Sequence, residues 1–387
     1  MKAVIIAGGM GERMRPLTNS IPKALAPIDG VPIIRRQIDQ LIGLGVTSFV
    51  VLTGYRADMI EAYLKSIYEN SVAEIVFVQT PKEFEPTERL LFASEWIVGN
   101  FLLLYCDNFI ESERSIEQVI ESNAPLTFLA EKREVGNLFI DGKVVYSSQR
   151  NPSSPYVELG YIHVRTEDFM KVLYLGHSLQ ESLGLLSLEL NCKAIVTKNE
   201  LTSVSNLSRF RELRSKRKML LIDRDGVLNV KMPPRKYLGK IEYYELLDAN
   251  IDFLARHFGD TTDFIIITNQ PGVATGEVDP VFLDKLHSRM IVELLLRGVS
   301  IVGIYVCVHH WDDNCDCRKP KPGMIKQAIL DYELKPQELV YIGDELKDYE
   351  AAIAAGITGV VVGEFYGPNV FPDLNSSYDF ITSIITR

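Results

Sequence analysis

Two aspartates separated by a single residue, Asp223 and Asp225, directly follow an apolar run that begins at Met219. If that run is a buried parallel strand, both carboxylates lie in the crevice where α/β sheets bind ligands. Asp223 could then attack phosphorus and form an acyl-phosphate, and Asp225 could protonate the leaving alkoxide and activate the hydrolytic water. Gly226 would let the backbone turn tightly after them. A D-x-D pattern alone is equally compatible with an ordinary loop.

Polar residues that could hold a phosphoryl group follow a second apolar run and a later proline-rich turn. Thr268 and Asn269 end the run that begins at Phe264, and their hydroxyl and amide groups could bind phosphoryl oxygens. Arg318 and Lys319 lie in the turn, where a fixed cation can offset the charge shared by a phosphate and an attacking carboxylate. These positions predict a phosphate site beside the two aspartates.

Asp344 is another acidic residue at the end of a predicted strand, since it follows the apolar run 339–342. Because Mg²⁺ prefers oxygen ligands, Asp344 offers a second carboxylate to an ion bound at Asp223. Asp348 follows shortly after it. The order of these groups along the chain is two carboxylates, a hydroxyl and an amide, a cation, and a further carboxylate. This order predicts a Mg²⁺-dependent phosphatase that works through an aspartyl-phosphate.

Cys307, His309, Cys315 and Cys317 form a C-x-H-x5-C-x-C pattern just before the cationic turn. Three thiolates and one imidazole make a closed tetrahedral Zn²⁺ site, so the ion would be structural and would position the turn. His310 is the alternative imidazole ligand. The alternative for the whole pattern is three buried cysteines and a surface histidine.

These motifs make residues 219–387 similar to the haloacid dehalogenase-like phosphatases. The resemblance implies that Asp223 is the nucleophile and Asp225 the acid and base. The side chains that it assigns to phosphate binding are Thr268 and Lys319. The Mg²⁺ ligands that it implies are Asp223, the backbone carbonyl of Asp225, and Asp344, with Asp348 at the trailing acidic position.

The zinc pattern narrows the resemblance to two kinds of phosphatase. These are the D-glycero-D-manno-heptose 1,7-bisphosphate 7-phosphatases and the histidinol-phosphate phosphatases, which both carry D-x-D-G, T-N-Q, the zinc loop and R-K-P. In either case, the resemblance implies that Arg318 contacts the distal phosphate or the sugar of the substrate. The short zinc loop does not separate the two.

The first half of the chain begins with a strand-like run and a glycine loop, in which Gly8, Gly9 and Gly11 let backbone N–H groups approach phosphates. The spacing is neither G-x-G-x-x-G nor a Walker loop, which disfavours a dinucleotide fold and a Walker-type NTPase. Arg13 and Lys23 add fixed positive charge of the kind that a diphosphate leaving group needs.

Residues 1–210 resemble the sugar-1-phosphate nucleotidyltransferases, whose signature is G-G-x-G-x-R, then P-L-T, then P-K and a proline. The resemblance implies transfer of a nucleotidyl group from an NTP to a sugar 1-phosphate, with release of pyrophosphate. Arg13 would bind the departing phosphates and Lys23 the sugar phosphate. The other assigned positions are Gln79 for the base, Asp107 for Mg²⁺, and Glu158 and Gly160 for the sugar pocket.

Two segments depart from that family. Residues 86–89, Pro-Thr-Glu-Arg, stand where the family has a G-T-[AG]-G-like turn. Ser203 begins the segment where many members have a second Mg²⁺ aspartate. Either one carboxylate with water and phosphates suffices, or this half transfers weakly, or it is a binding remnant.

Short apolar runs alternate with helical patterns along the whole chain, which predicts parallel strands buried on both faces. We therefore expect an α/β fold of two doubly wound domains. The first, residues 1–210, is Rossmann-like with a mixed sheet, and the second, residues 219–387, is a haloacid dehalogenase-like Rossmannoid with a zinc loop. Residues 211–218 form a basic linker, which we interpret as a solvated helix, the alternative being an anion or nucleic-acid patch.

The chain has 387 residues and a formal net charge of −10, which argues against a general nucleic-acid binder. No apolar run is long enough to span a bilayer, so no membrane partner is expected. Five cysteines, three of them between 307 and 317, suit a reducing cytoplasm and a metal site better than disulfides.

A fusion of these two halves suits consecutive steps on one heptose. We expect the second half to remove the 7-phosphate of a heptose 1,7-bisphosphate. The first half would activate the heptose 1-phosphate with an NTP, GTP by analogy, for a bacterial glycan such as lipopolysaccharide. Its partners would be sugar phosphates and a nucleotide. The alternatives are a histidinol-phosphate phosphatase and a silent first half that acts as a sensor or oligomerisation module; a homo-oligomer also stays open.

Overall fold

A computed structural model describes residues 1–198, 200–234, 236–364 and 367–386. The chain divides into two compact units. Unit 1 comprises Met1–Thr18, Pro22–Ala26 and Pro32–Phe210, and unit 2 comprises Asn19–Ile21, Pro27–Val31 and Arg211–Arg387. No helix of the described residues has the length and apolar character needed to cross a bilayer.

Up to residue 213, strands and helices alternate along most of the chain. The strands are β1 Lys2–Ile6, β2 Pro27–Ile28, β3 Val31–Pro32, β4 Ser48–Thr53, β5 Glu74–Gln79, β6 Phe101–Tyr105, β7 Asn108–Ile110, β8 Leu126–Lys132, β9 Gly136–Asp141, β10 Lys143–Asn151, β11 Tyr156–Val164, β12 Lys193–Thr197 and β13 Leu201–Ser203. The helices are α1 Leu17–Ser20, α2 Ile33–Gly43, α3 Ala57–Tyr68, α4 Pro86–Phe92, α5 Glu113–Ile120, α6 Thr166–Leu173, α7 Leu179–Glu189 and α8 Leu207–Leu213.

The main sheet of unit 1 is mixed, as the sequence predicts. Its central order is β10-β9-β11-β6-β1-β4-β5, and β8 joins β11 to β12. The strands β6, β1, β4 and β5 are parallel, whereas β11 runs antiparallel to β6. Because Ile6 at the end of β1 pairs with Tyr105 at the end of β6, the loops that follow these strands start side by side.

From residue 218 onward, unit 2 has a regular alternation of strand and helix. The strands are β14 Lys218–Ile222, β15 Thr262–Asn269, β16 Ser300–Cys307, β17 Val340–Gly343, β18 Thr358–Val362 and β19 Val370–Phe371. The helices are α9 Asp248–Phe258, α10 Pro280–Leu296, α11 Gly323–Tyr332, α12 Leu346–Ala354 and α13 Leu374–Ile385.

The six strands of unit 2 are all parallel, in the order β16-β15-β14-β17-β18-β19. The chain builds outward from β14 to β16 and then returns to the other side of β14 with β17. This reversal creates the crevice at the carboxyl ends of the strands in which α/β folds bind ligands. The continuous apolar runs that predict these strands are buried on both faces, because helices cover the sheet.

The basic segment 211–218 differs from the solvated linker helix that we predict. Helix α8 ends at Leu213, and the side chains of Arg214 and Arg217 are then buried against one carboxylate of β15, Asp263. Arg214 Nε and Arg217 Nε donate to the two oxygens of Asp263, each at 2.9 Å. The sequence interpretation fails here because the acid that pairs with the arginines, Asp263, is distant in the sequence, on β15.

Candidate active sites

Asp223, at the end of the central strand β14, contacts a buried lysine. Lys319 Nζ lies 2.9 Å from Asp223 Oδ1 and 2.8 Å from Asp348 Oδ1, and it donates to the Tyr341 hydroxyl at 2.7 Å. Burial raises the pKa of Asp223 to about 7, and the Lys319 ammonium opposes this shift. Both hydrogen bonds that Asp223 accepts from the described residues, from Lys319 and from the Arg224 N–H, fall on Oδ1.

Three carboxylates of unit 2 converge at this end of the sheet. Oxygen atoms of Asp223, Asp344 and Asp348 all lie within 4.8 Å of one another. Asp344 Oδ1 is buried and has no hydrogen-bond partner among the described residues. Gly226 allows this approach, since a Cβ atom there would lie 2.3 Å from Asp344 Oδ2. An oxygen-rich cluster with one unsatisfied oxygen fits a hard divalent cation such as Mg²⁺.

Asp225 is held by three neighbours that the sequence analysis did not assign. Arg224 Nη2 donates to both oxygens, at 2.8 and 2.9 Å, Asn229 Nδ2 donates to Oδ1 at 3.0 Å, and Gln270 Nε2 donates to Oδ2 at 2.8 Å. The Arg224 guanidinium, together with these amides, holds the pKa of Asp225 below its usual value despite its burial. Arg224 in turn contacts His287 Nε2 at 3.0 Å.

The predicted phosphate-binding residues line one cavity with Asp223 and Asp225. Its volume is about 220 Å³, and Thr268, Asn269, Arg318 and Lys319 all contribute to it. Asn269 exchanges two hydrogen bonds with the backbone of Lys319, so it fixes the cationic turn as well as facing the cavity. Arg318 Nη1 is buried without a partner among the described residues. The cavity also contains cations that the sequence analysis missed: Arg224, Lys231, Lys236 and Lys347.

The four predicted zinc ligands also converge. The Sγ atom of Cys315 lies 3.7 Å from that of Cys307 and 3.4 Å from that of Cys317, and His309 Nδ1 lies 3.7 and 3.1 Å from Cys307 and Cys317. Zn–S bonds of about 2.3 Å imply S···S edges of about 3.8 Å in a tetrahedron. The donor set and its edges therefore fit Zn²⁺. His310, the alternative ligand, instead accepts from the Asp312 N–H and packs on Trp311.

In unit 1, the glycine loop follows β1, and two of the predicted site residues, Lys23 and Asp107, contact each other. Gly11 has a φ of 63°, a conformation that favours glycine. Lys23 Nζ forms an ion pair with Asp107, which follows β6. Gly8 and Gly9 lie in the same loop, which adjoins Asp107 because β1 and β6 are neighbours.

A cavity of about 520 Å³ in unit 1 contains Arg13, Asp107 and Glu158. Burial raises the pKa of Glu158 to about 7, and the Gly160 N–H donates to its carboxylate. Gly160 itself lies behind the cavity wall, where a Cβ atom would collide with Tyr105 and Asn108. Two cations that no motif signals, Arg150 and Arg209, also face this cavity.

The remaining predicted positions of unit 1 are more scattered. Gln79 ends the edge strand β5 and is exposed, outside the described lining of this cavity. Ser203 does line it, together with Ser205 and Asn206. Within the described residues, clusters of three or more metal-ligating side chains occur only in unit 2. The acidic side chains that line the cavity among the described residues are Asp107 and Glu158.

Comparison with known proteins gives the class of each half. The family model described as Nucleotidyl transferase matches residues 2–135, and the one described as HAD-hydrolase-like matches residues 316–365. The chain thus joins a nucleotidyltransferase-like domain to a haloacid dehalogenase-like hydrolase, as the sequence motifs predict.

Curated relatives define the hydrolase further. The D-glycero-beta-D-manno-heptose-1,7-bisphosphate 7-phosphatase of Pasteurella multocida is 34% identical over 152 residues, which are 38% of this chain and 81% of that protein. The D-glycero-alpha-D-manno-heptose-1,7-bisphosphate 7-phosphatase of Campylobacter jejuni is 37% identical over 154 residues, 38% of this chain and 84% of that protein. The chain belongs to the heptose-1,7-bisphosphate 7-phosphatase family.

A solved structure of the same kind is also similar. It is the D,D-heptose 1,7-bisphosphate phosphatase from B. bronchiseptica, complexed with magnesium and phosphate. The two sequences are 28% identical over 43% of this chain and 98% of that one, with a TM-score of 0.39.

Proposed function

We propose that residues 219–387 remove the 7-phosphate of a heptose 1,7-bisphosphate through an aspartyl-phosphate on Asp223. The observation that carries this proposal is the contact of Asp223 with Lys319 inside a cationic cavity at the carboxyl ends of parallel strands. Relatives named for both the alpha and the beta substrate support a heptose 1,7-bisphosphate without choosing its anomer.

The side chains of the cavity divide the chemistry among them. Asp223 Oδ2 attacks the phosphorus atom, while the Lys319 ammonium and the Thr268 hydroxyl bind the phosphoryl oxygens. Asp225 gives a proton to the departing sugar oxygen and later takes one from the attacking water. Arg318, with its unpartnered Nη1, binds the distal phosphate or the sugar. Mg²⁺, held by Asp223, the Asp225 carbonyl and Asp344, would neutralise phosphoryl charge.

The arrangement of Asp225 sets a condition on its role as an acid. Its carboxylate is ionised and bound to Arg224 in this state, so it must gain a proton or change partners before it protonates a leaving group. The same arrangement suits its second role, because an ionised carboxylate is ready to accept a proton from water.

A substrate panel tests the phosphatase assignment. Phosphate release is measured with each anomer of heptose 1,7-bisphosphate and with histidinol phosphate, with and without Mg²⁺. We expect a heptose bisphosphate to have the highest kcat/KM and the activity to require Mg²⁺. Faster turnover of histidinol phosphate would overturn the heptose assignment.

We further propose that residues 1–210 transfer a nucleotidyl group, GMP from GTP, to the heptose 1-phosphate that the other domain produces. The cavity with Arg13, Arg150 and Arg209 supports this, because three guanidinium groups can hold a sugar phosphate and a departing diphosphate. Lys23 pairs with Asp107, which follows the strand beside the one that leads into the glycine loop, and this supports roles for both near the reacting phosphates. Asp107 would be the protein ligand of a Mg²⁺ ion that offsets their charge.

One observation favours the alternative in which this domain only binds a sugar nucleotide. Ser203, not a carboxylate, lies in the cavity, so the described residues of the cavity offer no aspartate besides Asp107. Incubation of the wild type with heptose 1-phosphate and each NTP, followed by a pyrophosphate assay, decides between the two. Absence of pyrophosphate with every NTP would exclude transfer.

A further inference from the structure

Lys319, the cation that we propose to bind the phosphoryl group, is surrounded by oxygen atoms of the protein itself. Its ammonium lies 2.9 Å from Asp223 Oδ1 and 2.8 Å from Asp348 Oδ1. It also donates to the Tyr341 hydroxyl at 2.7 Å and to the Ile267 carbonyl at 3.2 Å. A lysine ammonium has three N–H groups. Four oxygens therefore share three protons, and none is left over for a phosphoryl oxygen.

The four oxygens differ in their position relative to the catalytic cavity. Asp223 lines the cavity together with Lys319. Tyr341 is completely buried within β17, and neither Tyr341 nor Ile267 belongs to the described lining of the cavity. The hydroxyl and the carbonyl therefore hold the ammonium from the protein core, whereas a phosphoryl oxygen would approach it from the cavity.

A phosphoryl oxygen that binds Lys319 must take the place of one of these partners. Hydrogen bonds between an ammonium and a carboxylate are stronger than those to a neutral oxygen, because both groups are charged. The contacts with Asp223 and Asp348 are therefore costly to give up. Of the two neutral partners, Tyr341 makes the shorter contact, so its hydroxyl is the main neutral group that competes for the ammonium.

The Tyr341 hydroxyl can release the ammonium without becoming an unpaired buried group. It donates its own proton to the Ile267 carbonyl at 3.1 Å, and Asp348 Oδ1 lies 3.3 Å away as a second acceptor. Neither bond requires Lys319. Because an unpaired buried polar group is what makes the loss of a hydrogen bond expensive, this arrangement suits a bond that is broken and remade in each catalytic cycle.

We propose that the Tyr341 hydroxyl is an internal competitor for the Lys319 ammonium, which a phosphoryl oxygen must displace when it binds. Tyr341 is then a positioning residue that acts on the substrate through Lys319 and weakens the affinity of the site for phosphate. This inference rests on the proposed phosphatase function of residues 219–387. Its consequence for turnover is faster release of the product, since inorganic phosphate binds the same ammonium.

Calorimetric titration of the full chain with inorganic phosphate, in the presence of Mg²⁺, tests the proposal. Tyr341→Phe keeps the ring and removes the competing oxygen, so phosphate no longer has to displace a hydrogen bond. Because hydrogen bonds to charged groups are among the stronger ones in proteins, we expect the Kd for phosphate to fall about tenfold. The KM for heptose 1,7-bisphosphate should also fall, whereas kcat should not rise, because the hydroxyl acts on binding.

Two further variants guard this test against trivial results. Tyr332→Phe is the matched control, because Tyr332 is also buried in unit 2, donates to the Val302 carbonyl and lies outside the described lining of the cavity. It should lose stability without a change in the Kd for phosphate. Tyr341→Met lacks both the hydroxyl and the ring, so it should bind phosphate more tightly than the wild type even if Tyr341→Phe folds poorly.

The outcomes separate this inference from the proposed phosphatase activity. Equal or weaker phosphate binding by Tyr341→Phe, or by Tyr341→Met where Tyr341→Phe does not fold, would overturn the competition, and so would an equal gain in Tyr332→Phe. Tighter phosphate binding by the Tyr341 variants of a chain that hydrolyses neither anomer of heptose 1,7-bisphosphate would support the competition and refute the proposed substrate.

Discussion

Lys231 Nζ donates to Asp344 Oδ2 at 2.6 Å, on one of the carboxylates that we propose to hold Mg²⁺. The same ammonium also pairs with Glu345. Asp344 Oδ1 has no partner among the described residues. One oxygen of this carboxylate therefore contacts a lysine, and the other is available to bind a cation. The lysine therefore competes electrostatically with a cation at this site.

Removal of that ammonium should strengthen metal binding. A unit charge about 4 Å from a divalent ion repels it by about 2 kcal/mol even in bulk water, which corresponds to roughly a thirtyfold change in Kd. We expect Lys231→Met to lower the Kd for Mg²⁺ about thirtyfold in calorimetric titration without substrate. Lys347→Met is the matched control, because Lys347 contacts Glu345 at 2.6 Å rather than Asp344. Unchanged or weaker binding in Lys231→Met would contradict the competition.

Asp223→Asn should separate the two activities of the chain. The amide keeps the shape of the side chain but cannot act as the nucleophile, so phosphate release should fall at least about a thousandfold. Pyrophosphate formation should keep its wild-type rate, since its proposed residues lie in unit 1. Substantial phosphate release by the variant would mean that Asp223 does not carry the phosphoryl group. Mass spectrometry of wild type quenched in acid with substrate should detect the phosphorylated peptide.

Cys315→Ser should release zinc and loosen the turn that carries Lys319. Binding of structural zinc contributes directly to folding, with apparent free energies of about 10–16 kcal/mol in small zinc peptides. We expect near-complete loss of zinc by elemental analysis, earlier thermal unfolding and a raised KM for the phosphatase substrate. Cys192→Ser, which removes a buried thiol of unit 1 outside the cluster, should retain zinc. A fully stable, zinc-free Cys315→Ser enzyme would show that the cluster has no structural role.

Asp263→Asn tests the buried ion pairs of Asp263 with Arg214 and Arg217. Asp263 is 1% exposed and pairs with both Arg214 and Arg217, so its neutralisation removes the carboxylate charge that these two buried guanidinium groups share. We expect a loss of about 3–5 kcal/mol in the free energy of unfolding. The free energy of unfolding is measured by urea titration, with loss of phosphatase activity as the readout. Asp252→Asn, at an exposed pair with Arg297, makes the same chemical change and should hardly move the midpoint.

Residues at strand ends were predictable because the parallel sheet gathers them at one edge. Asp223, Thr268 and Asp344 each follow an apolar run, and the order of these runs determines which of them become neighbours. The zinc cluster was predictable for a different reason, since its ligands are close in the sequence and few other arrangements explain their spacing.

Long cationic side chains were the part that sequence reasoning missed. Lys231, Arg150 and Arg209 lie in irregular segments or at element ends, and the groups that they face are far away in the sequence. The sequence predicts a solvated Arg214 for the same reason, because no spacing rule connects it to Asp263. The Arg89 position could be recognised as a departure from the related enzymes, but only coordinates show that its guanidinium lies against Gly8.

The central position of β14 in the sheet has a consequence for how the phosphatase half folds during synthesis. Asp223 follows β14, the first strand of this sheet to be synthesised, whereas Lys319 follows β16 and Asp348 belongs to α12. A nascent polypeptide that stops before residue 319 would have to bury an uncompensated acid, which opposes closure of the sheet. Closure of this sheet around Asp223 should therefore wait until residue 319 has been synthesised, and truncations before residue 319 should abolish hydrolysis abruptly rather than by degrees.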